Sequence, residues 1–202
     1  MVTSDLSRIR SLQARAVNMS NDVVQHATTD DLSRPTPCAD WTFADLLAHM
    51  IAQHRGFAAA ASGRRTEVAS WAPRPLSSQP FAEYADAAGE VIGAYADEAV
   101  ADREIWLPEL TTARSFSAGD AMSFHFIDYV VHSWDVARAI DVSLTIDDDV
   151  LDAALTVALR VPTDPARRGP GFAFGPALPA ADTDAPLDRA LAALGRAPTW
   201  PT

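Results

Sequence analysis

Four ionisable side chains lie along one face of an otherwise apolar segment, "FHFIDYVVHSWDVARAI", at residues 124–140. In a helix each residue turns about 100° around the axis, and the apolar side chains of this segment then surround most of the circumference. Such a helix is expected to be buried. His125, Asp128, His132 and Asp135 nevertheless share one sector roughly 80° wide. Imidazoles and carboxylates kept together inside a protein indicate metal binding or proton transfer.

A metal site is the first interpretation of this pattern. Asp128 and His132 are four residues apart, so their side chains lie one turn apart on the same helix face and can converge on one ion. Two ligands make a weak site, and His49, in the apolar segment "DLLAHM", is the candidate third ligand. The spacing equally allows a buried ion pair between Asp128 and His132, retained for packing specificity.

The other two polar residues of the face receive different roles. His125 has almost the same azimuth as His132 but lies about 10 Å away along the axis. We therefore expect it to line the open side of the site without binding the ion, as an acid or base facing a substrate. A histidine packed inside the core is the alternative. Asp135 is expected to accept a hydrogen bond from His132 and orient its ring.

The elements that position these residues are predicted to be helices. Apolar residues recur at spacings of three and four in four long segments, which predicts an all-α protein built on a four-helix bundle. These segments are 5–29, 42–61, 79–101 and 118–140. Thr42 and Asp45 match a capping box at the start of the second helix. Shorter helices are expected near 147–160 and 186–195, with long irregular connections at 63–79 and 161–186.

Composition limits the function classes. The 202 residues are predicted to form one domain, and the net charge of −11 excludes a typical nucleic-acid-binding or anionic-membrane-binding protein. No apolar run approaches the ~20 residues of a membrane span, and the N-terminus lacks the apolar core of a signal peptide. Cys38 is the only cysteine, so no internal disulfide forms, and it is expected to be a small buried residue. A cytoplasmic protein is the simplest expectation.

Two separate motifs resemble a known family. The segments "TPCADWTFADLLAHM" at 36–50 and "DYVVHSWDVARAI" at 128–140 resemble the two hallmark segments of the mycothiol-dependent maleylpyruvate isomerase N-terminal domain. That domain belongs to the DinB-like superfamily of metal-binding four-helix bundles. The stretch "FGPALPAADTDAPLDRALAALGR" at 174–196 is similar to the tail of an actinobacterial branch of this family. The resemblance thus spans most of the chain.

The resemblance implies a divalent metal, usually zinc, at one end of the bundle. The histidine of the "LLAH" segment corresponds to His49, the histidine of the "VH-x-WD" segment to His132, and the acidic ligand to Asp128. The family pattern has Glu at that acidic position. Because Asp is shorter by one methylene, the ion is expected to lie closer to the fourth helix or to bind more weakly.

The resemblance also implies a class of reaction. Relatives use the open metal position to activate a small thiol, mycothiol in actinobacteria, which attacks an electrophile. We therefore expect a thiol-dependent transferase or isomerase acting on a small molecule, and a homodimer is one assembly to expect. Family isomerases have a further C-terminal domain, whereas about 60 residues follow Ile140 here, so activity on maleylpyruvate itself is implied less directly. A metal-dependent hydrolase and a non-catalytic metal-binding or small-molecule-binding module are the alternatives.

Overall fold

The structure is a computed structural model that describes residues 2–38, 40–169 and 173–201. These residues form six α-helices and no β-strand, which confirms the predicted all-α class. The helices are α1 (Val2–Val24), α2 (Phe43–Ala61), α3 (Pro80–Ala96), α4 (Ala118–Ile140), α5 (Asp148–Ala158) and α6 (Pro186–Ala193). None of the described helices combines the length and hydropathy that crossing a membrane requires.

The first four helices form the predicted bundle. The main packed pairs are α1 with α4 and α2 with α3, and further contacts join α1 to α3 and α2 to α4. Apolar side chains from all four helices fill the space between them, so hydrophobic burial holds the bundle together. The largest fully buried side chains in these helices are Tyr84, Tyr95, Tyr129, Phe43 and Phe126. α2 and α4 are thereby held side by side, which matters for the polar residues that they carry.

Local capping sets the ends of the two helices that carry these residues. At the start of α2 the Asp45 amide donates to Thr42 Oγ1 (3.3 Å) and the Thr42 amide donates to Asp45 Oδ2 (3.0 Å), which confirms the predicted capping box. At the start of α4 the Asp120 amide donates to Ser117 Oγ (3.1 Å). α4 ends where Asp141 adopts a left-handed conformation with φ 59°.

Two of the predicted helices end earlier than expected. The first was expected to reach 29 but ends at Val24, and a short 3₁₀ helix follows at Thr29–Ser33, opened by a capping box between Thr28 and Asp31. The third was expected to reach 101 but ends at Ala96, where Asp97 caps a 3₁₀ helix at Glu98–Asp102. In both places an Asp or Thr side chain competes for backbone groups and starts a new turn.

Hydrogen bonds from a buried arginine and a close contact between two glycines hold the chain after α4 in place. Arg168 is 6% exposed and donates to the carbonyls of Pro162 (2.7 Å), Gly175 (3.1 Å) and Ala193 (2.9 Å). Gly195, with φ 80°, crosses the backbone of Gly175 so closely that a Cβ there would lie 2.8 Å from it. The irregular connection predicted at 161–186 is therefore ordered against α6 by polar backbone contacts in its described part.

Gly195→Ala should destabilise the protein by about 1 kcal/mol or more, because alanine is strained at positive φ and its Cβ would strike the backbone of Gly175. Urea unfolding followed by circular dichroism measures the change. Gly89→Ala is the matched control: no atom of the described residues lies within 4 Å of a Cβ at this position of α3, and alanine there should stabilise the protein by up to about 1 kcal/mol. Equal stability of the Gly195→Ala variant and the wild type would contradict the close contact.

Candidate metal centre

α2 and α4 bring together the three side chains that were predicted as metal ligands. Each of His49, Asp128 and His132 offers one donor atom, and these atoms all lie within 4.8 Å of one another. His49 and His132 face each other edge to face, with ring centroids 5.4 Å apart. The site is sheltered but open on one side: the side chain of His132 is 6% exposed and that of Asp128 is 18% exposed.

The ring of His132 is oriented by carboxylates on both sides. Its Nδ1 lies 2.9 Å from Asp135 Oδ2, and its Nε2 lies 3.4 Å from Asp128 Oδ1. The contact with Asp135 confirms the orienting role predicted for that residue. With Nδ1 hydrogen-bonded to Asp135, Nε2 faces Asp128, which is the arrangement typical of a metal-binding histidine held by a carboxylate.

Asp135 is itself surrounded by two further groups that sequence reasoning did not place in the site. Arg196 Nε donates to Asp135 Oδ1 (3.0 Å) and its Nη2 donates to Oδ2 (3.1 Å). The Cys38 thiol also donates to Oδ2 (3.0 Å). Cys38 and Arg196 lie 97 and 61 residues from Asp135 in the chain, so no local spacing could have indicated these contacts.

Burial and charge set the protonation of the site. Burial and the positive charges of His132 and Arg196 lower the pKa of His49 to about 3, so its ring is neutral and available as a ligand at neutral pH. Burial works against a charged His132, but Asp128 and the hydrogen bond to Asp135 raise its pKa well above the ordinary value. Burial raises the pKa of Asp135, but Arg196 and His132 outweigh this effect and lower the pKa to about 2. A divalent cation therefore competes with a proton at His132.

The structure places His125 away from the open side of the site, so this prediction was wrong. The residue is fully buried, with Nδ1 3.1 Å from Gln13 Nε2 of α1 and Nε2 3.2 Å from His54 Nδ1 of α2. Its ring stacks on Tyr129. The helical wheel placed His125 on the correct face of α4. It could not show that residues of α1 and α2 cover this part of the face. A ring in this position does not meet an incoming molecule, and no catalytic role is assigned to His125.

An aromatic ring packs against His49, and a carboxylate is held by the next turn of α2. Trp41 is 37% exposed, and its ring centroid lies 4.9 Å from that of His49. Gln53, one turn after His49 on α2, donates to Glu109 Oε2 (2.6 Å) on the connection before α4. Desolvation and the charge of Asp128 raise the pKa of Glu109. Sequence reasoning missed Glu109 because that connection has no periodicity that would place it.

These donors suit a divalent metal such as zinc. Two imidazole nitrogens and one carboxylate oxygen are ligand types that zinc takes, and three protein ligands are typical of sites that keep a fourth position open. A second donor set, formed by Cys38, His132 and Asp135, also lies within 4.8 Å, but the guanidinium of Arg196 binds both Cys38 and Asp135. The positive charge of Arg196 disfavours an ion there, which leaves the first set as the better fit.

The curated proteins to which the chain is similar include two uncharacterized proteins from two strains of Mycobacterium tuberculosis. Each is 27% identical over 187 residues, which cover 90% of this chain and 94% of the relative. These relatives match the chain over nearly its whole length but carry no described activity in their names.

Solved structures of a mycothiol-dependent maleylpyruvate isomerase and of its histidine-to-alanine mutant share the fold. Their TM-scores are 0.56 and 0.58, at 13% identity, over 76% of this chain and 67% of the isomerase chain. The model of the mycothiol maleylpyruvate isomerase N-terminal domain matches residues 14–137, a range that includes His49, Asp128 and His132. The match covers more than half of the 202 residues, so the chain belongs to the mycothiol maleylpyruvate isomerase N-terminal domain family.

Proposed function

We propose that this protein binds one divalent metal ion, zinc in the first instance, through His49, Asp128 and His132. The observation that carries the proposal is the convergence of these three donors within 4.8 Å. The fixed ring of His132 adds support, because its Nδ1 is anchored on Asp135 while Nε2 faces Asp128. Asp128 reaches His132 although its side chain is shorter than the Glu of the family pattern.

We further propose that the protein is a thiol-dependent transferase or isomerase that acts on a small electrophile, with mycothiol as cosubstrate. The names of the family and of the solved isomerases support the choice of thiol. A zinc ion, when bound, lowers the pKa of a thiol at its open position and makes it a nucleophile at neutral pH. The chain's own part is to hold His132 by Asp135 and to shelter the site, with the Trp41 ring packed against His49 at its rim.

A metal-dependent hydrolase of a small molecule is the second candidate. Glu109 favours it, because a carboxylate with a raised pKa, held by Gln53, lies close enough for the charge of Asp128 to act on it. Such a group suits transfer of a proton to or from water. The two candidates differ in one requirement that can be measured: the transferase needs a thiol and the hydrolase does not.

His49→Ala or His132→Ala should lower the affinity for zinc by at least roughly 100-fold, because each removes one of three ligands and loss of a supporting contact alone costs 10–100-fold. Competition against a chromophoric chelator measures the affinity. His26→Ala is the matched control, since His26 is exposed and its ring hydrogen-bonds to the backbone carbonyl of Asp22. Zinc binding by both ligand variants with wild-type affinity would refute the site.

The same His49→Ala and His132→Ala variants should keep the helical circular-dichroism signal of the wild type. The bundle buries its own apolar core, unlike a zinc finger, and needs no ion to fold. Addition of a chelator to the wild-type protein should likewise leave the helical signal unchanged. Unfolding on chelation would show that the metal is structural and would overturn its proposed catalytic use.

The zinc-loaded protein should accelerate the reaction of mycothiol with a chromogenic electrophile such as 1-chloro-2,4-dinitrobenzene. The rate should fall to the uncatalysed value in the Asp128→Asn variant, because the carboxylate ligand is lost. Asp128→Glu, which restores the family's acid, should retain activity. Turnover of p-nitrophenyl acetate without any thiol would favour the hydrolase instead. Absence of both activities, with zinc bound, would leave a binding module.

A further inference from the structure

A chain of buried contacts joins the segment after α6 to the candidate metal centre. Arg196 contacts Asp135, and Asp135 contacts His132. We propose that Arg196 is a positioning residue for the metal centre: it fixes the Asp135 carboxylate, which in turn fixes the ring of His132 and keeps Nε2 directed at the other ligands. The proposal rests on the metal site proposed above and extends it to a part of the chain that lies far from the ligands in sequence.

The first step of the argument is the geometry of the ion pair. Asp135 is fully buried and Arg196 is 9% exposed. The guanidinium meets both oxygens of the carboxylate, with Nε 3.0 Å from Oδ1 and Nη2 3.1 Å from Oδ2. A two-pronged contact of this kind fixes the plane of a carboxylate, whereas a single contact leaves it free to rotate.

The second step is the number of hydrogen bonds that Asp135 Oδ2 accepts. This one oxygen accepts from Arg196 Nη2, from the Cys38 thiol at 3.0 Å and from His132 Nδ1 at 2.9 Å. Without Arg196 the carboxylate would be a buried charge with too few partners, and such a group rotates, takes up a proton or draws in water. In each case His132 loses the fixed acceptor that orients its ring.

The third step is the way the chain delivers Arg196. α6 packs against α5, and Gly195 turns the chain with φ 80° while it crosses the backbone of Gly175. Arg168 donates to the carbonyls of Gly175 and Ala193 and so holds the two crossing backbone segments together. Arg196 therefore projects from an anchored corner. Its contacts with the metal centre are made to Asp135 and Cys38 and not to the proposed ligands themselves.

Arg196→Gln should lower the affinity for zinc by roughly 10–100-fold, the usual cost of losing a supporting contact to a metal-binding histidine. Arg196→Lys keeps the charge but loses the two-pronged contact with the carboxylate. Its affinity for zinc should lie between those of Arg196→Gln and the wild type. Arg189→Gln is the matched control on α6, since Arg189 pairs with the almost fully exposed Asp182, and it should bind zinc like the wild type. Zinc is added alone, and chelator competition measures the affinity.

A double-mutant cycle shows whether Arg196 acts through Asp135. Asp135→Asn should lower the affinity for zinc, and Arg196→Gln should add little to the loss once Asp135 is neutral. The double variant also leaves no buried charge without its partner, so it keeps the test open if Arg196→Gln alone fails to fold. Additive losses, or an Arg189→Gln variant that loses as much affinity as Arg196→Gln, would overturn the positioning role.

A readout independent of zinc separates this inference from the proposed function. The ring nitrogens of His132, followed by nuclear magnetic resonance in the metal-free protein, should change their shifts in Arg196→Gln and not in Arg189→Gln. If the wild type binds zinc but Arg196→Gln matches it, the inference fails and the metal site stands. If the wild type binds no zinc, the proposed function fails, and unchanged His132 shifts in Arg196→Gln would overturn the inference as well.

Discussion

The buried carboxylate of Asp135 is the constraint on which the rest of the site depends. A charge removed from water is costly unless it is paired and fully hydrogen-bonded. Asp135 satisfies this condition with groups from three separate parts of the chain: Cys38 before α2, His132 on α4 and Arg196 after α6. Arg196 and His132 lower its pKa to about 2 in spite of burial. The charge that orients His132 thus also requires the segments before α2 and after α6 to pack on α4.

The polar face of α4 meets two different environments along its length. At the level of His125 the bundle is closed, and the ring is enclosed by Gln13, His54 and Tyr129. Two polar atoms there, Gln13 Oε1 and His54 Nε2, have no hydrogen-bond partner in the described residues, so this level is an imperfectly satisfied core network. One turn after His125, at Asp128, the same face regains partial solvent exposure.

At the open level the same face can do chemistry. Asp128 keeps part of its side chain exposed, and the exposed ring of Trp41 packs against His49. Asp135 holds the ring of His132, and the side chains of His49 and Asp128 stay partly exposed. One stripe on one helix therefore supplies a closed structural cluster at His125 and a candidate metal site at Asp128 and His132. The difference lies in how deeply the neighbouring helices cover each level.

The sequence predicts features that depend on neighbouring residues better than features that depend on contacts between distant segments. The bounds of α4 and the capping box of α2 depend on neighbouring residues, and both were predicted correctly. The sequence pattern offered His49 as the partner of the Asp128–His132 face, but the family motifs were needed to favour a metal site over a simple ion pair. The level of His125 and the reach of Arg196 depend on packing between distant segments. No spacing or motif along the chain predicts that packing.

The position of Arg196 also limits what family membership says about function. The family model matches residues 14–137, which include the three proposed ligands and Asp135 but not Arg196. The support behind His132 therefore comes partly from a segment outside the matched region. The bundle is shared with the solved isomerase structures, whereas the affinity and reactivity of the proposed metal site would depend also on what binds the Asp135 carboxylate from behind. Function resides in such site details more than in the fold, so the contacts of Arg196 bear on what the site does as directly as the bundle that carries it.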